Sequence, residues 1–225
     1  MRKKEPMIGA FLILTAILTG YLLTGLFNAQ LSEAKRIQEQ ELQEHLAKEV
    51  LRFHVLANSD SVKDQQLKLQ VKDGVLDWME QTVPEGLSGE ETREWMRSHT
   101  QEITELSEQL LEEAGEKTAV QTAVTTCYFP QKTYADLTFP AGNYEALRIE
   151  IGQAKGHNWW CVLYPNLCFL DGTCKIVPEQ GKENLKQVVT EAEYEWITTG
   201  KPVKARSYIL EHLQVFDSKR TEKPK

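Results

Sequence analysis

Cys161 and Cys168 stand seven positions apart in "GHNWWCVLYPNLCF" (156–169), with His157 four positions ahead of the first thiol. A thiolate lowered in pKa by a neighbouring imidazolium is a nucleophile, so Cys161 with His157 or His54 is one candidate for covalent hydrolysis. Two cysteines this close can also oxidise to a disulfide that staples the turn "VLYPNL", or hold a structural metal. The disulfide Cys161–Cys168 is the favoured reading, because neither histidine spacing matches a nucleophile signature and no metal-ligand spacing is present. A second constellation, Arg52, His54, Asp60 and Asp64, surrounds one strand–helix junction and offers acid–base groups. Its simpler reading is a helix cap with its ion-pair neighbours. Gly-rich phosphate loops, HExxH, GxSxG and the paired motif of aspartic proteases are missing, so no cofactor and no catalytic residue is assigned.

Which chemistry is open to the thiols depends on the compartment. Arg2, Lys3 and Lys4 precede "MIGAFLILTAILTGYLLTGLF" (7–27), which carries no charge. An apolar run of that length spans a bilayer as a helix, and the basic cluster before it stays on the cytoplasmic side. Everything after Phe27 is therefore expected outside the membrane, where disulfides persist. The length favours a retained anchor over a cleaved signal peptide, whose apolar core runs about 7–15 residues. Ser32 and Ala34 in "LSEA" nonetheless suit a signal peptidase. The chain has a formal charge of −7, and the part beyond residue 6 carries −9. Such an acidic domain is repelled by phosphate backbones, which argues against nucleic acid as a partner.

The elements that must position these residues follow from periodicity. Residues 1–28 form the signal peptide or anchor, and residues 29–50, rich in Gln, Glu, Lys and Ala, form a solvated helical stalk. The domain is expected over 51–216 and a disordered tail over 217–225. "LRFHVLA" alternates as a strand. "NSDS" then caps a helix reaching Thr82, with Ser61 and Asp64 spaced as a capping box. Val62, Leu69, Leu76 and Val83, together with Leu67, Val71, Val75 and Trp78, cover more than half of that helix, so it should be buried on two sides. Ser88 with Glu91 opens one helix closed by Gly115, with His99 on its apolar face. Residues 118–129 alternate as a strand, 130–143 read as an ordered loop, and 147–151 as a strand turning through Gly152–Gly156 into "NWWCVLYP". Both faces of that last strand are apolar, as in a central strand covered on two sides. Residues 182–199 hold one or two short helices, with Thr190 and Glu193 as a capping box, and 203–216 is either strand or helix. The fold class is α+β: an N-terminal helix, then one domain with a mixed or antiparallel sheet of about four strands and helices packed on one face.

The stretches "RFHVLANSDSVKDQQLKLQVKDGVLDWM", "YFPQKTY" and "PAGNYEALRIEIGQAKGHNWWCVLYPNLCF", with the N-terminal apolar run, resemble the stage II sporulation protein R family of endospore-forming bacteria. They cover most of residues 51–171. The resemblance implies a developmental signal with no catalysis of its own. Such a protein is exported from the forespore into the space between forespore and mother cell. There it triggers a mother-cell membrane aspartic protease to process pro-sigma-E. On this reading the protease-contacting residues are expected near the two motifs: Asn58, Asp60 and Asp64 at the first, and Tyr134, Tyr144, His157, Asn158 and Trp159 at the second. The membrane is a further partner if the N-terminal helix is retained.

Overall fold

The computed structural model describes residues 5–168, 177 and 179–200. Cys174, the segment 203–216 and the tail 217–225 lie outside the described residues. The described chain has two compact parts, one ending at Glu41 and one starting at Leu42.

The first part is helical. Helix α1 runs over Glu5–Glu49. It includes a window of mean hydropathy 2.0 with none of its surface buried, and is long and apolar enough to cross a membrane. The end of the same helix corrects the expected stalk. Leu46 and Val50 are fully buried within the core of the second part, so the domain begins near Leu42 and its first turns of helix are structural.

The second part is built on a four-stranded mixed sheet in the order β2-β5-β1-β6. Strand β1 (Leu51–Leu56) is central and buried along its whole length. It pairs parallel with β5 (Gly142–Ile151) and antiparallel with β6 (Asn158–Tyr164). Strand β2 (Val120–Phe129) pairs antiparallel with β5. The expected hairpin between β5 and β6 is therefore not one. β1 lies between them, and the 152–157 loop crosses its end. β6 is covered on both faces, as its apolar alternation predicts, yet it stands at the sheet's margin and β1 takes the centre.

Alternation in β1 divides two cores. Leu51, Phe53 and Val55 face a layer of helices: α2 (Val62–Thr82), α3 (Gly89–Ser98) and α4 (Thr100–Glu113). Burying such apolar side chains contributes roughly 1.5–3 kcal/mol each. The opposite face carries a second core, so helices lie on both sides of the sheet and not on one as expected. It is assembled from Phe129, Tyr144 and Val162, the end of α1, and a hairpin of β3 (Lys132–Tyr134) and β4 (Leu137–Phe139). Helices α5 (Glu179–Val188) and α6 (Glu191–Thr199) complete it through Leu185 and Ile197. The hairpin replaces the expected loop, because Leu137 and Phe139 are fully buried and anchor it.

Two helix readings change for tertiary reasons. The single helix expected over 88–115 breaks at His99, whose backbone leaves helical geometry and whose ring stacks on Trp95 at 3.8 Å. Helix α2 is buried mainly along one side. Val62 and Leu69 are 77% and 43% exposed, so the seven-residue set does not meet a second layer. The capping boxes at Ser88–Glu91 and Thr190–Glu193 are both formed as expected.

Candidate functional site

Two loops meet where β1 runs into α2 and β5 runs into β6. Backbone hydrogen bonds join them first: Gly156 N–H donates to Ala57 O at 2.9 Å, and Lys155 N–H to Asn58 O at 3.2 Å. A Cβ at position 156 would strike the Ser59 carbonyl, so only glycine allows this approach. Side chains then tie the corner. Asn58 Oδ1 accepts from Gln153 N–H at 3.0 Å, while Asn58 Nδ2 donates to Asp64 at 3.0 Å. Ser59 Oγ donates to the same Asp64 oxygen at 2.5 Å. Asp60 Oδ1 accepts from both the backbone N–H and Nδ1 of His157, each at 2.5 Å.

The electrostatics follow from these bonds. The hydroxyl of Ser59, then the amide of Asn58, hold the Asp64 carboxyl below its ordinary pKa. Hydrogen bonds from His157 do the same for Asp60. Asp64 thus does not complete the box expected with Ser61. Ser61 Oγ accepts from Asp64 N–H at 3.0 Å, but the carboxylate turns to Asn58 and Ser59. Lys68 reaches in from α2 to donate to His157 O at 3.1 Å.

Of the eight expected contact residues, Asn58, Asp60, Asp64 and His157 come together at this corner with Trp159 beside them on β6, whereas the Asn158 side chain bonds His54 on the opposite face of the sheet. The first four hold one another, Asn58 with Asp64 and Asp60 with His157, and so fix the shape of the corner. Trp159 is different. It is half-buried, edge-on to Phe53 with ring centroids 5.5 Å apart, and the Lys72 ammonium stands 5.3 Å from its ring. Leu69 is exposed one turn earlier on α2 than Lys72. Lys68, Leu69 and Lys72, which are not among the expected contact residues, border the corner on neighbouring strips of one helix.

Tyr134 and Tyr144 do not join this group, and that expectation is corrected. Tyr144 is fully buried on the other face of the sheet and donates to Pro140 O at 2.8 Å. It has no surface to offer a partner. Tyr134 accepts from Arg52 Nη2 at 2.9 Å and belongs to the same second core.

Side-chain directions separate Cys161 from its candidate base on β1. Cys161 faces the first core, whereas His54 lies on the opposite face, stacked on Trp160 at 3.7 Å. The pair Cys161–His54 is therefore not assembled, and His157 is held at the corner by Asp60. Cys127, Cys161 and Cys168 are free thiols, so the expected bridge is not formed, although Cys168 lies within hydrogen-bonding reach of Cys161. Cys127 Sγ stands 3.8 Å from His54 Nδ1. Burial raises the Cys127 thiol pKa and, aided by Arg148 and Arg52, lowers His54 to about 3. Both groups are therefore neutral, the reverse of an activated thiolate–imidazolium pair. Among the described residues, no cluster of three or more His, Cys, Asp or Glu side chains is placed to hold a metal ion.

Comparison with known proteins agrees with the motifs at this corner. The family model described as stage II sporulation protein R matches residues 47–174. A curated relative, "Stage II sporulation protein R" of Bacillus subtilis (strain 168), is 38% identical over 151 residues, covering 67% of each chain. No solved structure matches.

Proposed function

Because the chain belongs to the stage II sporulation protein R family, and so serves sporulation, we propose that it is an exported signal acting by contact. On this reading it leaves the forespore through α1 and reaches the space facing the mother cell. There it binds a mother-cell membrane aspartic protease and favours the state that processes pro-sigma-E. The protein is a ligand and not an enzyme. A shift of the protease from mostly off to mostly on requires about 5.5 kcal/mol of preference for the active state. A few well-packed anchors supply that much.

The observation that carries the reading is the cross-bonded corner. Two loops distant in sequence are locked by at least five hydrogen bonds beside the exposed Leu69 and the half-buried Trp159, on which Lys72 rests. A surface held rigid before binding loses little entropy on contact. The apolar helix α1 supports export, and the separation of Cys161 from His54 speaks against the rival reading of an exported cysteine hydrolase.

Leu69→Glu changes an exposed α2 position, so secretion and melting temperature should stay as in the parent, whereas Lys72→Glu replaces a largely covered side chain against the Trp159 ring and is compared at matched melting temperature. Sigma-factor processing in sporulating cells should fall by about tenfold or more, the equivalent of about 1.4 kcal/mol of contact. Trp159→Ala should abolish it. Cys161→Ser should leave processing intact in any folded preparation. Unchanged processing in the three surface variants would remove this corner as the contact face, and complete loss in a folded Cys161→Ser protein would revive the hydrolase.

A further inference from the structure

A groove separate from the corner opens between the end of α2, the start of α3, the end of β6 and α5. Its volume is about 620 Å³, within the roughly 300–1,000 Å³ of ligand-binding clefts. The floor is apolar: Met79, Met96 and Leu163 are at most 2% exposed, with Val83 and Val188 beside them. Methionine side chains adapt to the shape of what they meet, which suits a floor that receives another side chain. The rim is acidic. Glu80, Glu85 and Glu91 line it, and no Lys or Arg does so among the described residues. Glu91 is engaged by the Ser88 cap. Glu80 and Glu85 are exposed, and among the described residues no hydrogen bond or ion pair holds either of them. The side-chain amides of Asn166, Asn184 and Gln187 add donors and acceptors that can meet a backbone.

We propose that this groove docks a basic, aliphatic peptide segment: one or two Leu-like side chains on the methionine floor, flanked by Lys or Arg opposite Glu80 and Glu85. Charge selects among the possible occupants. A second copy is disfavoured because the domain is acidic, with −9 beyond residue 6. Anionic ligands are repelled by the rim. The proposal deepens the contact reading, resting on it for the partner, which is then an exported segment of the protease with this chemistry. The groove itself is tested without the protease.

The chain has four methionines, Met1, Met7, Met79 and Met96, so two of four methyl groups report on the groove. The full chain, labelled at its methionine methyls, is placed in nanodiscs of zwitterionic lipid. It is titrated with a synthetic peptide carrying two Leu and three Lys, and with the same peptide carrying Glu for Lys. The basic peptide should shift the Met79 and Met96 signals and the acidic one should not. Glu80→Lys with Glu85→Lys should weaken the basic peptide about tenfold or more, as expected when a complementary rim becomes repulsive. Unmoved Met79 and Met96 signals, or equal shifts with the acidic peptide, would overturn the groove. Lost peptide binding with normal processing in cells would overturn the protease segment as its occupant. Failure of the Trp159 and Leu69 variants to affect processing would sink the corner while leaving this titration unchanged.

Discussion

Arg52→Ala is expected to cost the domain on the order of 4 kcal/mol, combining a large-to-small core deletion with stranded polar partners. The side chain is fully buried on β1. Its Nε donates to Cys161 O at 2.9 Å and its Nη2 to Tyr134 OH at 2.9 Å. The guanidinium lies 4.4 Å from the Phe129 ring centre, 5.0 Å from that of Tyr144 and 5.3 Å from that of Phe139. Ring faces partly offset the desolvation of the charge. Alanine would leave a cavity among four aromatic rings and strip a donor from the Cys161 carbonyl. Arg52→Met is the discriminating variant. It keeps the stem volume and removes a charge whose Nη1 has no hydrogen-bond partner, so its loss should be well below that of alanine. Urea unfolding of both variants checks this. Equal stability of Arg52→Ala and the parent would contradict the assignment. Arg52 also binds the strand that carries Trp159 two residues before Cys161, so alanine should lower processing through a loosened β6.

His54 gives the second large effect, and its sign is fixed by burial. The folded pKa is lowered from 6.5 to about 3, first by burial and then by Arg148 and Arg52, with Asn158 acting against them. Above pH 6.5 the ring is neutral in both folded and unfolded chains, and there is no penalty. As pH falls from 6.5 towards 3, the unfolded chain takes up a proton that the folded one refuses, so stability is lost across that window. The full loss is on the order of 4 kcal/mol. His54→Phe keeps an aromatic ring against Trp160 and removes the titration. The urea midpoint of the parent should therefore fall more steeply between pH 6.5 and 4 than that of the variant. Parallel pH profiles would show that His54 is not held neutral.

What could be read in the amino-acid order was what neighbours decide. Ser88 with Glu91 and Thr190 with Glu193 are three residues apart, so each cap closes within one turn and is visible in the string. Leu51, Phe53 and Val55 alternate on a strand whose first core face is apolar. Arg52 and His54 on its other face were read as a polar junction. Their true surroundings, Phe129, Tyr144 and Trp160, lie 77 to 106 positions away. The insertion of β1 between β5 and β6 is equally non-local, because a turn signal such as Gly152–Gly156 states that the chain reverses, not which strand it rejoins. His99 ends a helix without proline or glycine, through its stack on Trp95. Five of the expected contact residues, Asn58, Asp60, Asp64, His157 and Trp159, lie at or beside one corner because they flank two motifs. Tyr144 was misplaced because alternation does not tell which face of β5 is covered.

The central claim is that contact alone switches on the protease. Its most direct test co-reconstitutes the full chain, the mother-cell membrane aspartic protease and pro-sigma-E in liposomes, and follows cleavage of the precursor. The account predicts cleavage at least about tenfold above protease alone with the parent chain and with a folded Cys161→Ser chain, and none above background with Trp159→Ala. Cleavage that proceeds at the same rate with or without the chain would contradict it.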